Sequence, residues 1–174
     1  MKVLLIGSPG AGKPTLALQL AEELQLPILH LDKLWHATDY SAAAREGFRQ
    51  EIEAFMASHD SWLIDGNYAN RLPQRLAQAD HVIWLDYSRW LCLYRVLLRS
   101  FQARFLGKKR PDMAEQFRER FDKDYLDFLQ FVWTFPQRVS QNIADQLSQF
   151  LGRVLILDKP QSVDNIVAWL LQTD

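Results

Sequence analysis

The chain predicts an α/β protein in three layers, α/β/α, with a five-stranded parallel sheet between two layers of helices. Three observations carry this expectation. Five short apolar runs, 2–6, 28–31, 61–64, 81–86 and 153–157, lack clean polar alternation, as strands covered on both faces do. Stretches with helical spacing lie between them, and such alternation of strand and helix packs as a parallel sheet with helices on both sides. The first run feeds a glycine-rich turn, Gly7-Ser8-Pro9-Gly10-Ala11-Gly12-Lys13-Pro14-Thr15, which opens directly into a helix.

Taken in order, the first helix is expected over 13–24, with Leu16, Leu20 and Leu24 on one face. The second spans about 42–57, with Ser41 as N-cap and Phe48, Ile52, Phe55 and Met56 as its apolar face. A short helix over about 71–78 follows the third strand. The helix over 88–105 puts Leu91, Leu98, Phe101 and Phe105 on its buried side. In 114–134 the stripe Phe117, Phe121, Tyr125, Phe128 and Val132 reads as core. The helices 136–151, ended by Gly152, and 162–172 complete the set. The 174 residues read as one domain, 1–174, with no repeat, linker or low-complexity segment.

Composition narrows the function classes. Hydrophobic residues make up 48% and charged residues 24%, ordinary for a soluble protein. No apolar run is long enough to span a membrane, and no leader pattern opens the chain, so a reducing cytoplasm is the expected setting. The single Cys92 excludes an intramolecular disulfide and reads as a small core residue. A net charge of −1 gives no global attraction for nucleic acid. Charge is uneven, however: from Tyr87 to Pro111 there are seven basic residues and no acidic one.

The glycine-rich turn carries the strongest chemical signal. Its glycines permit backbone shapes closed to other residues and let N–H groups approach an anion. The following helix aims its positive end at the same point, and Lys13 adds a mobile charge for outer phosphates. The spacing is G-x-x-x-x-G-K, but Pro14 stands where a hydroxyl residue is expected. Proline is tolerated in a first helical turn, yet it removes one N–H donor and the hydroxyl that usually reaches Mg²⁺. Thr15 is one residue late for a simple replacement, but within reach of phosphate or the waters of Mg²⁺.

In parallel α/β sheets ligands bind at the carboxyl ends of the strands. Four strands end on aspartate: Asp32, Asp65, Asp86 and Asp158. Asp86 and Asp158 read as caps of the following helices. Asp65, before the turn-forming Gly66, reads as a holder of Mg²⁺ through water. Asp32 reads as a ligand for an acceptor hydroxyl or as a base. In 88–105, Arg95 and Arg99 are four apart and share a face. They fit a pair that clamps phosphates, or a solvated amphipathic face. The basic turn Gly107-Lys108-Lys109-Arg110-Pro111 joins this helix to the next, where Arg118 and Arg120 lie, and the whole of about 95–135 reads as a helical lid. Arg118 has Asp122 as an alternative partner at i, i+4.

These segments resemble the adenylate-kinase-like group of P-loop phosphotransferases. Gly7 to Thr15 resembles their G-x-P-G-x-G-K-G-T loop, Asp65-Gly66 their D-G-F-P-R motif, and Asp86 to Arg95 with Arg99 their step from fourth strand to lid arginines. Asp112 with Arg118 and Arg120 is similar to the far side of that lid. A closer resemblance, over nearly the whole chain, is to bacterial DNA topology modulation proteins. It rests on His30-Leu31-Asp32, Trp62 to Tyr68, and Arg110-Pro111-Asp112-Met113-Ala114-Glu115.

The resemblance implies a P-loop NTPase fold of nucleotide-kinase type, with ATP and Mg²⁺ as cofactors. It implies that ATP lies on Ser8, Pro9, Gly10, Ala11, Gly12, Lys13, Pro14 and Thr15. Lys13, Arg95, Arg99, Arg118 and Arg120 would handle the phosphoryl group. Asp65, with Thr15, would hold Mg²⁺ mostly through water, and Asp32 would orient a small-molecule acceptor. The acceptor side departs from adenylate kinases. Trp35 stands where they carry an arginine, and the arginine of D-G-F-P-R is displaced to Arg71. AMP is therefore not the expected acceptor. Trp35, His36, Tyr40, Tyr68 and Arg71 are expected to line a different pocket. The alternative is an ATP-binding regulatory or DNA-topology-related protein with weak or no catalysis. Nucleic acid is compatible with the basic run but not required.

Overall fold

A computed structural model describes residues 1–105 and 123–172. In chain order the elements are β1 (Lys2–Gly7), α1 (Lys13–Leu24), β2 (Ile28–His30), α2 (Leu31–His36), α3 (Ala42–Ser58), β3 (Trp62–Asp65) and α4 (Leu72–Leu76). There follow β4 (His81–Leu85), α5 (Arg89–Phe105), α6 (Lys123–Phe135), α7 (Gln141–Leu147), β5 (Arg153–Leu157) and α8 (Val163–Leu171). The five strands form one parallel sheet in the order β2-β3-β1-β4-β5.

Alternate residues of β1 feed two cores. Val3 and Leu5 pack with Ala17 and Leu20 of α1, Cys92 and Val96 of α5, Val132 of α6, and Ile166 and Leu170 of α8. Leu4 and Ile6 pack with Leu31 of α2, Phe48, Ile52 and Met56 of α3, Leu72 of α4, and Ile143 of α7. Both faces of the sheet are thus covered, which is why the strands read as unbroken apolar runs. β1 and β3 are neighbours, yet α1 lies on one face and α4 on the other. Their carboxyl ends therefore diverge around a crevice, where ligands bind in sheets of this kind.

Several local expectations change. A short helix, α2, follows β2 without a break; six residues are too few to show a helical period. The helix expected over 71–78 is a 3₁₀ turn, Ala69–Arg71, running into α4. The one expected over 136–151 is a π-helical turn, Pro136–Ser140, followed by α7. Proline lacks the N–H that would continue the α-helical ladder, so the register shifts there.

Gly152 does not end that helix, which stops at Leu147. A Cβ on Gly152 would lie 2.4 Å from the Asp80 carbonyl oxygen, so close backbone approach is what requires glycine. Ser41 caps α3 as expected, accepting from the Ala44 N–H at 3.0 Å. Asp86 and Asp158 cap nothing. Ser88 accepts from the Leu91 N–H and Ser162 from the Asn165 N–H, so the caps are serines two and four residues further on.

The buried stripe of α5 is also different. It is Cys92, Val96 and Ser100, spaced by four, whereas Leu98 and Phe101 are 41% and 54% exposed. The small side chains let α5 approach the loop after β1. Phe105, Phe117 and Phe121 lie outside the described side chains; Tyr125 and Val132 are buried as expected. The turn 107–111, with Arg118 and Arg120, also falls outside the described residues.

Candidate active site

The loop between β1 and α1 forms the floor of the crevice. Gly7, Gly10 and Gly12 have φ of 143°, 84° and 94°, in the left-handed region that L side chains rarely enter. A Cβ on Gly10 would lie 2.4 Å from the Cys92 carbonyl oxygen, so glycine is needed there for space as well. Gly12 is the N-cap of α1, and Pro14 occupies its first turn. The first intrahelical bond runs from the Leu16 N–H to the Gly12 carbonyl. The N–H groups of Lys13 and Thr15 precede it and face out of the helix end, whereas Pro14 supplies none. The fold accommodates the proline, and its cost is one donor in the cradle.

Lys13 is 7% exposed, and its Nζ donates to the carbonyls of Gly7 at 2.9 Å and Ser8 at 3.1 Å. An ammonium has three donors, so one direction is left for a ligand oxygen. The same Gly7 is gripped from β3: its N–H donates to Asn67 Oδ1 at 2.8 Å, and Asn67 Nδ2 donates to its carbonyl at 2.8 Å. Asn67 thus ties the loop to the turn after β3.

That turn is held by a buried arginine. Arg75 of α4, 1% exposed, donates to the carbonyls of Gly66 at 2.9 Å, Tyr68 at 3.2 Å and Arg71 at 3.4 Å, and also to that of Asn67. Burial pushes its guanidinium down to about 10, still charged at neutral pH.

At the end of β3, Asp65 pairs in register with His30, and its Oδ2 meets His30 Nδ1 at 2.9 Å. Its other oxygen, Oδ1, is buried with no hydrogen-bond partner among the described groups. A buried carboxylate oxygen left in this way marks a place for a ligand, a water or a metal-bound water. Asp65 therefore fits Mg²⁺ held through water, and the glycine cradle with Lys13 fits phosphate. Thr15 is exposed at the same helix end.

From the other side, Arg95 of α5 donates to the Ala11 carbonyl at 3.0 Å, and its guanidinium lies 5.6 Å from the Tyr87 ring centroid. The structure therefore brings Arg95 onto the loop, across 84 residues of sequence. Arg99 is half-buried one turn further along α5. The Cys92 thiol lies beneath the loop. Burial raises its pKa, against the opposing charges of Lys13 and Arg95.

On the side where the acceptor is expected, Asp32 is exposed in the first turn of α2, and its charge acts on the Tyr68 phenol. Burial, then the negative charge of Asp32, hold the Tyr68 phenol protonated. Ring contacts link Tyr68 to Phe48 at 4.9 Å, Phe48 to Trp35 at 5.4 Å, and Trp35 to Tyr40 at 5.6 Å. His36 Nδ1 meets the Tyr40 hydroxyl at 3.0 Å. Four of the five residues expected on this side thus form one cluster. Arg71 instead lines a cleft between α3 and α4 with Arg49, Glu53 and Gln74.

Sequence reading missed His30, Asn67, Arg75 and Phe48 as site residues. Asn67, directly after Asp65-Gly66 at a strand end, carried a positional signal. Arg75 carried none, because an arginine in a short helix reads as solvent-exposed.

No protein-family model matches the chain, and no curated protein sequence matches it significantly. Solved structures do. Shikimate kinase from Bacteroides thetaiotaomicron aligns with a TM-score of 0.58 at 17% identity, over 98% of this chain and 95% of that one. A putative kinase from Chloroflexus aurantiacus aligns at 0.58 with 20% identity, over 97% and 96%. Shikimate kinase from Acinetobacter baumannii, in complex with shikimate, aligns at 0.60 with 16% identity, over 98% and 92%. At these identities the likeness is one of fold. The chain has the P-loop NTPase fold that these kinases share.

Proposed function

We propose that the chain is an ATP-dependent phosphotransferase of the nucleotide or nucleoside kinase type, acting on a small-molecule acceptor. The observation that carries this reading is the convergence on one loop of the buried Lys13, the anchored Gly7, Arg95 and the helix end of α1. A cradle of backbone donors with two cations held on its rim by neutral carbonyls suits a polyphosphate.

In this reading Gly10, Gly12, Lys13 and Thr15 bind phosphate oxygens through backbone N–H groups, while Ser8, Pro9, Ala11 and Pro14 shape the loop. The Lys13 ammonium follows the outer phosphates. Arg95 and Arg99, with Arg118 and Arg120 outside the described residues, offset charge on the transferring group. Asp65 holds Mg²⁺ through its waters; the metal supplies further neutralisation of the phosphates. Asp32 orients the acceptor. Catalysis is then mostly positioning and electrostatics.

ADP formation from ATP-Mg²⁺, with nucleosides, nucleoside monophosphates and shikimate as acceptors, tests the reading. Lys13→Ala should lower turnover by at least about a hundredfold, in the range seen when an oxyanion donor is removed, with an unchanged circular dichroism spectrum. Retained turnover contradicts the assignment.

Pro14 favours a second reading, a nucleotide-binding regulator of weak catalysis, to which the resemblance to DNA topology modulation proteins also leads. Pro14→Gly restores one N–H to the cradle. We expect kcat/KM for ATP to rise; no rise would show that the missing donor costs the reaction nothing.

A further inference from the structure

We infer that the acceptor is an alcohol bearing no phosphate, neutral or cationic, rather than a phosphate monoester. The inference rests on the phosphotransferase reading and specifies the acceptor side of that same site.

A monophosphate acceptor needs a cation to meet it, and of the two described arginines nearest the turn after β3 one is spent on backbone carbonyls and the other lines a different cleft. Arg75 is 1% exposed and spends its donors on the carbonyls of Gly66, Asn67, Tyr68 and Arg71. Arg71 lines the cleft between α3 and α4 with Arg49, Glu53 and Gln74, away from the linked rings, and its charge acts on Glu46. What the chain sets on this side of Asp65 is acidic and aromatic: Asp32 in the first turn of α2, whose charge acts on Tyr68, and the linked rings of Tyr68, Phe48, Trp35 and Tyr40. Lys33, next to Asp32, is exposed and turned by about 100° around the helix from it.

Tyr40 and Tyr68 are two of the three described non-glycine residues with positive φ, at 60° and 37°. Bulky residues hold such backbone only where their surroundings over-determine it. The cluster is therefore built rather than incidental. A carboxylate accepts from O–H or N–H groups and repels a phosphate dianion, and aromatic faces suit the apolar side of a ring or short chain.

The reaction follows directly. The acceptor hydroxyl oxygen bonds to the γ-phosphorus of ATP as the bond from that phosphorus to the β–γ bridging oxygen breaks. ADP leaves with the bond's electron pair, and the hydroxyl proton passes to Asp32 and on to water.

Matched pairs test this: adenosine with its 5′-monophosphate, glycerol with glycerol 3-phosphate, and ethanolamine with phosphoethanolamine. Phosphoryl transfer from ATP-Mg²⁺ to each is followed for the wild type and Asp32→Asn. In at least one pair the unphosphorylated member should have the higher kcat/KM, by about tenfold or more. Asp32→Asn should raise that acceptor's KM by about tenfold, narrow the preference within the pair, and leave the KM for ATP unchanged. Asp32 is exposed, so its melting temperature should not move.

Preference for a phosphorylated member overturns the inference, and would be the result if the basic residues of 104–120 supplied a phosphate site. So does failure to use any unphosphorylated member, or an unaltered preference in Asp32→Asn. Calorimetric binding of ATP-Mg²⁺ to the wild type and to Lys13→Ala reports on the nucleotide half alone, so failure of the acceptor class is distinguishable from failure of the phosphotransferase reading.

Discussion

At the residue scale, the site depends on where charge is buried and what meets it. Lys13 and Arg75 are both buried cations with no carboxylate bound to them in the described structure; backbone carbonyls take their place. Neutral oxygens leave the charge available to a ligand, which suits Lys13 at the cradle. For Arg75 the same device fixes the turn that carries Asn67. Asp86 shows the opposite case. Burial raises its carboxyl pKa, and the Ser140 hydroxyl at 3.5 Å only partly opposes this. A carboxyl whose pKa is higher in the folded than in the unfolded state binds protons preferentially when folded. Its ionised form therefore lowers stability at neutral pH, and the loss is relieved as pH falls through the folded-state pKa. We expect Asp86→Asn to raise the melting temperature at pH 8, and the gain to vanish as pH falls toward the range where the carboxyl is protonated. A gain independent of pH would refute this account. The environments of Arg75 and Asp86 were not legible in the sequence, because the burial of Arg75 and half-burial of Asp86 come from packing by elements far along the chain. Lys13 was legible because its neighbours in sequence are also its neighbours in space.

At the element scale, the strand–loop–helix unit was read correctly because each part carries its own local signal: apolar run, glycines, amphipathic helix. The approach of α5 to that loop was misread. Size alone points to leucine and phenylalanine as the buried face, whereas the approach demands Cys92, Val96 and Ser100. Short helices such as α2 and α4 fell below the length at which periodicity can be seen. The Asn67 clamp belongs to this scale, since it couples the turn after β3 to the loop after β1. Asn67→Ala removes both hydrogen bonds to Gly7. At about 0.5–1.5 kcal/mol for each bond, stability should fall by about 1–3 kcal/mol in urea titrations. A positioning role also requires the KM for ATP to rise, by about tenfold. Lost stability with an unchanged KM would make the clamp a structural tie and no more. Gly10→Ala acts on the other side of the loop. With φ of 84° and the Cys92 carbonyl 2.4 Å from the new Cβ, it should force α5 away and cost at least about 2 kcal/mol. A crystal structure of that variant with α5 unmoved would contradict the packing argument.

At the scale of the whole molecule, the order β2-β3-β1-β4-β5 places the loop and Asp65 at adjacent strand ends, with helices leaving to opposite faces. The crevice is thus a property of topology, and the side chains specialise it. Among the described residues, no helix is long and apolar enough to cross a membrane. The fold class followed from the alternation of apolar runs and helical stretches, which local pattern reveals. The ring cluster followed in part: Trp35, His36, Tyr40 and Tyr68 were expected together, whereas Phe48, which links Trp35 to Tyr68, joins them only through the packing of α3, and Arg71 turns to another cleft. The most direct test of the central claim is to follow the γ-phosphoryl group of labelled ATP-Mg²⁺ in the presence of acceptor, with Lys13→Ala as the blank. The account predicts label on the acceptor, in amounts equal to the ADP formed, and at least about a hundredfold less with Lys13→Ala. Label found only in inorganic phosphate at a rate indifferent to acceptor, or transfer undiminished in Lys13→Ala, would contradict it.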